Sequence, residues 1–83
     1  MMVDLYERDL SSLRTRRERS IHLVAVVVKN LDRRAMRERK PPPSDPQMMR
    51  FRKAVAEVEE EIRLREEAEA AAAVDAEARH AAQ

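Results

Sequence analysis

The fold is decided by the stretch Lys40-Pro41-Pro42-Pro43-Ser44-Asp45-Pro46, which holds all four prolines of the 83-residue chain. Proline lacks the amide hydrogen that a helix interior needs, and the residue before a proline is pushed out of the helical region of backbone space. The long runs on either side contain no glycine and no proline. We therefore expect this stretch to be the turn between two long helices.

The run before the turn carries apolar or small side chains at steps of three and four residues. They include Tyr6 and Leu13 and, further along, Val24 and Leu31. This spacing places the side chains on one face of a helix. We therefore predict one continuous first helix over about residues 3–40.

The run after the turn has the same spacing, and its first residues are typical of a helix start. Ser44 or Asp45 can serve as the N-cap, Pro46 suits the first turn of a helix, and Ser44 followed by Gln47 matches a capping box. We predict a proline-rich turn over residues 41–46 and a second helix over about residues 46–80. The apolar stripe of this helix consists of Met48, Phe51, Val55, Val58 and Ile62.

The two apolar stripes match when the chain is folded back at the prolines. Val28 then lies opposite Val58, and the small Ala35 lies opposite the large Phe51. The charges also match, because the first half of the chain is basic and the second half is acidic. The predicted fold class is therefore all-α, with one domain over residues 1–83 that forms an antiparallel two-helix hairpin similar to a coiled coil.

A β-strand over residues 21–28 is the alternative local interpretation, because five of these eight residues are β-branched. A strand followed by two helices is the element order of ribbon-helix-helix DNA-binding dimers. However, residues 24–28 do not alternate between apolar and polar side chains, and the chain has no glycine for the turn between the helices. We therefore prefer the helix and assign the chain to no family.

The apolar arc on the first helix is wider than one neighbouring helix can cover. Apolar side chains of residues 21–36 span about 200° of the helix surface, roughly twice what one neighbour buries. We expect the surplus to be covered by a second copy, in a dimer or a four-helix bundle, or by a larger protein assembly. The residues assigned to this protein interface are Ile21, Leu23, Val24, Val27, Val28 and Leu31.

Basic side chains collect around the predicted turn, where residues 33–53 hold eight basic and two acidic side chains. Most of them are arginine, which suits two-point contact with phosphate or carboxylate. We expect this end to contact a polyanion, either nucleic acid or an acidic protein, or else to be a solvated helix end. The residues assigned to the polyanion contact are Arg33, Arg34, Arg37, Arg39, Lys40, Arg50, Arg52 and Lys53.

The composition argues against catalysis. The chain has neither cysteine nor glycine, which excludes disulfides, thiolate metal sites and glycine-rich phosphate loops. Its two histidines, His22 and His80, are far apart, and its serines have no neighbour that would make a nucleophile. We expect no catalytic residue, no metal, no cofactor and no small-molecule substrate.

The function that these patterns favour is protein contact. The longest apolar run, residues 21–28, is much shorter than the roughly 20 residues that cross a bilayer, and we expect no membrane contact. We predict a non-enzymatic interaction or structural protein, cytoplasmic or within a particle assembled inside the cell, such as a virus. The alternative is a dimeric nucleic-acid-binding regulator that uses the basic end of the hairpin.

Overall fold

In the computed structural model, which describes residues 4–82, the chain folds into two long α-helices joined by a short turn. Helix α1 runs from Arg16 to Arg37, and helix α2 runs from Pro46 to Ala81. The helices pack against each other, and residues 4–82 contain no strand. The predicted all-α hairpin is confirmed, and the alternative of a β-strand is wrong. The molecule is a rod that measures 61 × 24 × 20 Å.

Ion pairs between the helices show that they run antiparallel. Near the turn, the guanidinium of Arg52 donates two hydrogen bonds to Asp32. At the other end of α1, Arg65 donates one to Glu18 across 2.6 Å. In both ion pairs, the residue of α2 lies within one helical turn of the residue that we predict opposite its partner when the chain folds back at its prolines. Between them, α2 contributes fully buried apolar side chains to a core that also contains Ala25.

Helix α1 begins at Arg16 and not near residue 3, so the prediction of a continuous helix over residues 3–40 is wrong in its first part. Thr15 is the N-cap, and its hydroxyl accepts a hydrogen bond from the backbone amide of Glu18 at 3.0 Å. The Glu18 carboxylate in turn accepts one from the backbone amide of Arg14 at 3.1 Å. This arrangement is a variant of the capping box, in which the glutamate bonds the amide one residue before the N-cap, and it marks the start of a helix. Val3, where the predicted apolar stripe begins, lies outside the described residues.

Residues 4–15 form an arm, here called the N-terminal arm, that folds back over the hairpin. It contains two short 3-10 helices, Leu5–Glu7 and Leu10–Ser12. Leu5 is fully buried and Leu13 is 3% exposed, and both side chains join the apolar core formed by the two α-helices. The arm therefore supplies a third layer to the core, which a bare hairpin lacks.

Polar contacts hold the N-terminal arm in place on both helices. The backbone amide of Leu5 donates to the carboxylate of Glu59 on α2 at 3.1 Å. The carbonyl of the same residue accepts a hydrogen bond of 2.7 Å from Nδ1 of His22, which is buried on α1. Further along, the guanidinium of Arg8 pairs with Glu66 at 2.6 Å. The arm is thus attached through its backbone as well as through its side chains.

Helix α1 ends in a hydrogen-bonding pattern that glycine usually completes. The backbone amide of Lys40 donates to the carbonyl of Ala35 at 2.9 Å, and that of Arg39 donates to Met36 at 3.1 Å. These two bonds form a Schellman motif, in which the first residue after the C-cap has a left-handed backbone. That residue is Arg39. Arg39 has this conformation, with φ 55°. Glycine usually occupies such a position, but the chain contains no glycine.

Helix α2 starts with proline at its first turn, and its N-cap is the second of the two predicted residues. Asp45, and not Ser44, occupies the N-cap position, and its side chain makes no capping hydrogen bond. The predicted capping box of Ser44 and Gln47 is therefore wrong. The fixed backbone of Pro46 is by itself suited to the first helical position, where no amide hydrogen is needed.

Helix α2 extends well beyond α1. With 36 and 22 residues, the two helices are about 54 and 33 Å long at a rise of 1.5 Å per residue. The last ion pair to α2 from the rest of the chain joins Arg14 to Glu69. Residues 70–82, here called the C-terminal tail, are exposed at every position. The tail is therefore a helix with no neighbour within residues 4–82.

Candidate functional site

Helix α1 exposes large apolar side chains on the side that faces away from the N-terminal arm. Leu23 is 64% exposed and Val27 is 55% exposed. Val24 and Leu31, their neighbours at helical spacing, are half-buried. Together these four residues form one strip, here called the outer surface.

The structure divides the six residues predicted to form the protein interface. Val28 is 8% exposed and Ile21 packs against the buried core, so both belong to the chain's own interior. The other four make up the outer surface. The apolar arc predicted for residues 21–36 also extends around the side of α1 opposite the outer surface. There the N-terminal arm covers Ala25, which is 4% exposed. The arm therefore covers part of the apolar surplus on that side, where Met36 remains 78% exposed, and the outer surface is the surplus on the other side.

Arginine side chains border the outer surface. The two acidic residues of α1, Glu18 and Asp32, are buried and half-buried, and they are paired with Arg65 and Arg52 of α2. Their charges are therefore neutralised inside the hairpin. The exposed charged side chains of α1 are all arginine, namely Arg16, Arg17, Arg19, Arg33, Arg34 and Arg37.

One of the eight residues predicted to bind a polyanion, Arg52, is part of the fold. Its guanidinium donates to both carboxylate oxygens of Asp32, at 2.8 and 2.6 Å, and to the carbonyl of Pro43 at 3.0 Å. Hydrogen bonding lowers the pKa of Asp32 and raises the pKa of Arg52, which favours both charges. Arg52 thus ties α1, α2 and the turn together, and the repulsion predicted between it and the arginines of α1 is relieved.

Three more of the eight basic residues have partners within the chain. The guanidinium carbon of Arg33 lies 5.5 Å from the centre of the Tyr6 ring, at cation–π distance. Arg34 and Lys40 both pair with Glu38, at 3.1 and 3.5 Å. These contacts are exposed and weak, so they leave the side chains open to a stronger partner.

The remaining four basic residues are exposed and form no ion pair with any residue between 4 and 82. Arg37 and Arg39 precede the turn, and Arg50 and Lys53 follow it. All four lie at the end of the rod where the helices are joined. We call this group the cationic tip.

Glu18 carries a buried carboxylate that the apolar spacing of the sequence does not reveal. It is 6% exposed and contacts the N-terminal arm, α1 and α2 at once. Burial raises the pKa of Glu18, but hydrogen bonds from Arg65, the Arg14 amide and the Thr15 hydroxyl outweigh burial, so the pKa lies below its ordinary value. The spacing of Thr15 and Glu18, a threonine three residues before a glutamate, is the signal that identifies it.

One cleft among the described residues is small. A cleft of about 160 Å³ lies between the N-terminal arm and the hairpin and is lined by Tyr6, Lys29 and Glu59, among others. Ligand pockets usually measure about 300–1,000 Å³. Between residues 4 and 82, no group of three acidic or histidine side chains is arranged to hold a metal ion.

The outer surface and the cationic tip are the two exposed features that stand out for contact with other molecules. They lie close together along the rod, since Arg37 of the cationic tip ends α1 six residues after Leu31 of the outer surface. No helix within residues 4–82 is both long enough and apolar enough to span a membrane. Comparison of the chain with protein-family models, with curated proteins and with solved structures found no match.

Proposed function

We propose that this protein is a non-enzymatic helical-hairpin interaction protein that works by protein contact through the outer surface of α1. The observation that carries the proposal is the exposure of Leu23 and Val27, at 64% and 55%. Burying apolar area is favourable by about 25 cal/mol per Å². Apolar side chains that form a continuous strip, unlike scattered ones, are typical of contact sites.

The small core of the hairpin also supports this proposal. Among residues 4–82, the largest fully buried side chains are Leu5, Val58 and Ile62. Short chains bury little apolar area, and many of them gain stability by association. A partner that binds only the folded state shifts the folding equilibrium toward that state. Covering the outer surface would therefore add to a core that is small by itself.

The proposal includes a cytoplasmic location, or a place in a particle assembled inside the cell. A chain without cysteine suits a reducing compartment, where disulfides rarely persist. An assembled particle, viral or cellular, is the kind of setting in which a small hairpin has its exposed side covered by neighbouring proteins.

Sedimentation of the variant Val27→Asp tests the proposal. A charge in the middle of the outer surface opposes its burial. We therefore expect any oligomer of this chain to dissociate, so that the mass falls toward the 9.7 kDa of one chain. The matched control is Met49→Asp, because Met49 is 52% exposed and lies on α2, away from the outer surface. Circular dichroism should show the same helicity in both variants. A mass that is the same for Val27→Asp as for the unchanged chain contradicts the proposal.

The cationic tip supports a second candidate function, contact with a polyanion such as nucleic acid by a dimeric regulator. Four exposed basic side chains without an ion-pair partner within residues 4–82 come together at one end of the rod. Such a site binds the phosphate backbone, and its affinity falls steeply with salt. Base stacking has little support, because Phe51 near the turn is half-buried.

Titration of duplex DNA across a salt series tests this second candidate. The double variant Arg50→Gln with Lys53→Gln should lower the salt slope by about two, because each lost phosphate contact removes roughly 0.9. The control, Arg16→Gln with Arg79→Gln, removes the same charge from residues outside the tip and should leave the slope unchanged. Equal slopes for both double variants, or no salt-dependent binding at all, contradict a nucleic-acid role for the tip.

A further inference from the structure

We infer that the outer surface is covered by a second copy of this chain, and that the element packed against it is the C-terminal part of the partner's α2. The inference rests on the proposed function, since it names the partner of the same surface. Each chain offers an outer surface and a free stretch of α2. In a closed, two-fold symmetric dimer, the outer surface of each copy can therefore be covered by the C-terminal part of α2 of the other copy.

Charge argues against packing one outer surface on another. In an antiparallel pairing centred on Val27, Arg19 of one protomer lies beside Arg34 of the other. In a parallel pairing, each arginine lies beside its own copy. Glu18 and Asp32 are already paired inside the hairpin and cannot relieve this repulsion, and the exposed Glu38 at the end of α1 is shared between Arg34 and Lys40. Like charges that face each other across an interface oppose binding, so the covering element must be acidic.

The free part of α2 has the charge and the apolar side chains that this position requires. Residues 64–82 hold five acidic and two basic side chains. Glu66 and Glu69 already pair with Arg8 and Arg14, so the acidic side chains left to a partner are Glu67, Asp75 and Glu77, of which the first two have only exposed pairs within α2. Leu64 and Val74 are 52% and 66% exposed, so residues 4–82 leave both side chains largely uncovered. With Ala71 and Ala78 they follow the spacing of a coiled-coil stripe. The result is an apolar strip with an acidic border, which complements the arginine-bordered outer surface.

The dimensions of the rod allow both contacts to form at the same time. The stripe from Leu64 to Ala78 is about 21 Å long, and the outer surface with its bordering Arg19 and Arg34 is about 22 Å long. Because α2 extends beyond α1, two rods placed side by side and head to tail bring each C-terminal tail beside the other chain's α1. The two cationic tips then lie at opposite ends of the dimer, where both remain free to bind an anion.

Disulfide trapping tests this arrangement directly, because the chain has no cysteine of its own. Val27→Cys and Val74→Cys are made as separate chains, mixed and oxidised under mild conditions. We expect the mixed disulfide between positions 27 and 74 to form at least tenfold faster than either symmetric one. The control mixture of Val27→Cys with Met49→Cys should not cross-link above background.

The possible results separate the inference from the proposed function. A dominant symmetric disulfide between two copies of position 27 overturns the inference but leaves the outer surface as a contact site. Val74→Asp gives an independent readout, since Val74 is exposed and its substitution cannot empty the core. We expect it to weaken dimerisation at least tenfold in sedimentation, as Val27→Asp does. If Val74→Asp dimerises as the unchanged chain does while Val27→Asp dissociates, the inference is overturned and the proposed function stands. If the unchanged chain and both variants all have the mass of a single chain, the inference and the proposed function are both overturned.

Discussion

Glu18 and Arg65 form an ion pair across the hairpin, with 2.6 Å between Oε2 and Nη1 and with the two side chains 8% and 25% exposed. The same carboxylate accepts hydrogen bonds from the Arg14 amide and the Thr15 hydroxyl. One glutamate therefore joins the end of the N-terminal arm, the first turn of α1 and the middle of α2. A buried charge with this many partners makes the position sensitive to substitution.

Loss of the Glu18 charge should destabilise the hairpin. Glu18→Gln keeps the size of the side chain but leaves Arg65 without its counterion in a largely buried place. We expect the free energy of unfolding to fall by about 2 kcal/mol, measured by urea denaturation near neutral pH. The control is Glu60→Gln, which breaks an exposed pair with Arg63 and should have no measurable effect. If both variants unfold at the same urea concentration, the pair does not stabilise the fold.

Acid should unfold the protein through the same carboxylate. Burial opposes ionisation of Glu18, but its hydrogen bonds outweigh burial, so its folded-state pKa is below the ordinary 4.5. The unfolded chain then takes up the proton at higher pH than the folded chain does. Its contribution to stability is complete above the unfolded pKa and is lost as the pH falls through the folded pKa. Asp32 acts in the same direction, because hydrogen bonds from Arg52 lower its pKa from 3.8.

Urea denaturation at a series of pH values below about 5 measures this dependence. Glu18→Gln should show a shallower loss of stability with acid than the unchanged chain, because one of the depressed carboxylates has been removed. Asp32→Asn should reduce the slope in a lower pH range. A variant that retains the full acid dependence would assign it to other carboxylates.

Docking of the N-terminal arm should depend on Leu5. This side chain is fully buried, and we expect Leu5→Ala to lower the free energy of unfolding by about 2–4 kcal/mol. Leu10 provides the matched control, because it lies in the same arm but is 58% exposed. Leu10→Ala should change stability by less than about 0.5 kcal/mol. In NMR spectra, the ring signals of His22 should shift in Leu5→Ala alone, since that histidine donates to the Leu5 carbonyl.

Glycine at position 39 should stabilise the protein even though it removes a charge. Arg39 occupies the left-handed region with φ 55°, which costs about 1 kcal/mol for a residue with a Cβ atom. We expect Arg39→Gly to raise the free energy of unfolding by about 0.5–1 kcal/mol, measured by thermal denaturation. Arg39→Ala removes the same charge but keeps the Cβ atom and should give no such gain. Equal stabilisation by both variants would point to charge repulsion and not to the backbone.

The hairpin is predictable because local and long-range patterns agree on it. Prolines break the helix at one place only, and the stripes on both sides pair apolar with apolar when the chain folds back. The N-terminal arm is not predictable from this spacing, since Tyr6 and Leu13 fit a helical stripe as well as they fit an arm. Leu5, the most deeply buried residue of the arm, lies off the stripe. Only the capping box of Thr15 and Glu18 tells the two apart locally.

The candidate site is predictable in location but not in detail. An apolar arc can be drawn on α1 from the sequence, yet the rotation of the helix against its neighbours decides which part stays exposed. Val28 turns inward and Val27 outward for that reason. Likewise, a count of charges near the turn includes Arg52 but omits Asp32, its partner, which lies just before the counted stretch. Ion pairing depends on the register between helices, which composition does not contain.

The attachment of the N-terminal arm has a consequence for the order in which the chain folds during synthesis. The arm leaves the ribosome before the two helices, but Leu5 binds Glu59, which is 54 residues further along, and Arg8 binds Glu66, which is 58 residues further along. At roughly 5–20 residues per second, several seconds pass before these acceptors exist. Until then, Leu5 and Leu13 lack the part of their core that Val58 and Ile62 supply. Of the arm and the two helices, the arm is made first but completes its native contacts only after α2 has been made as far as Glu66.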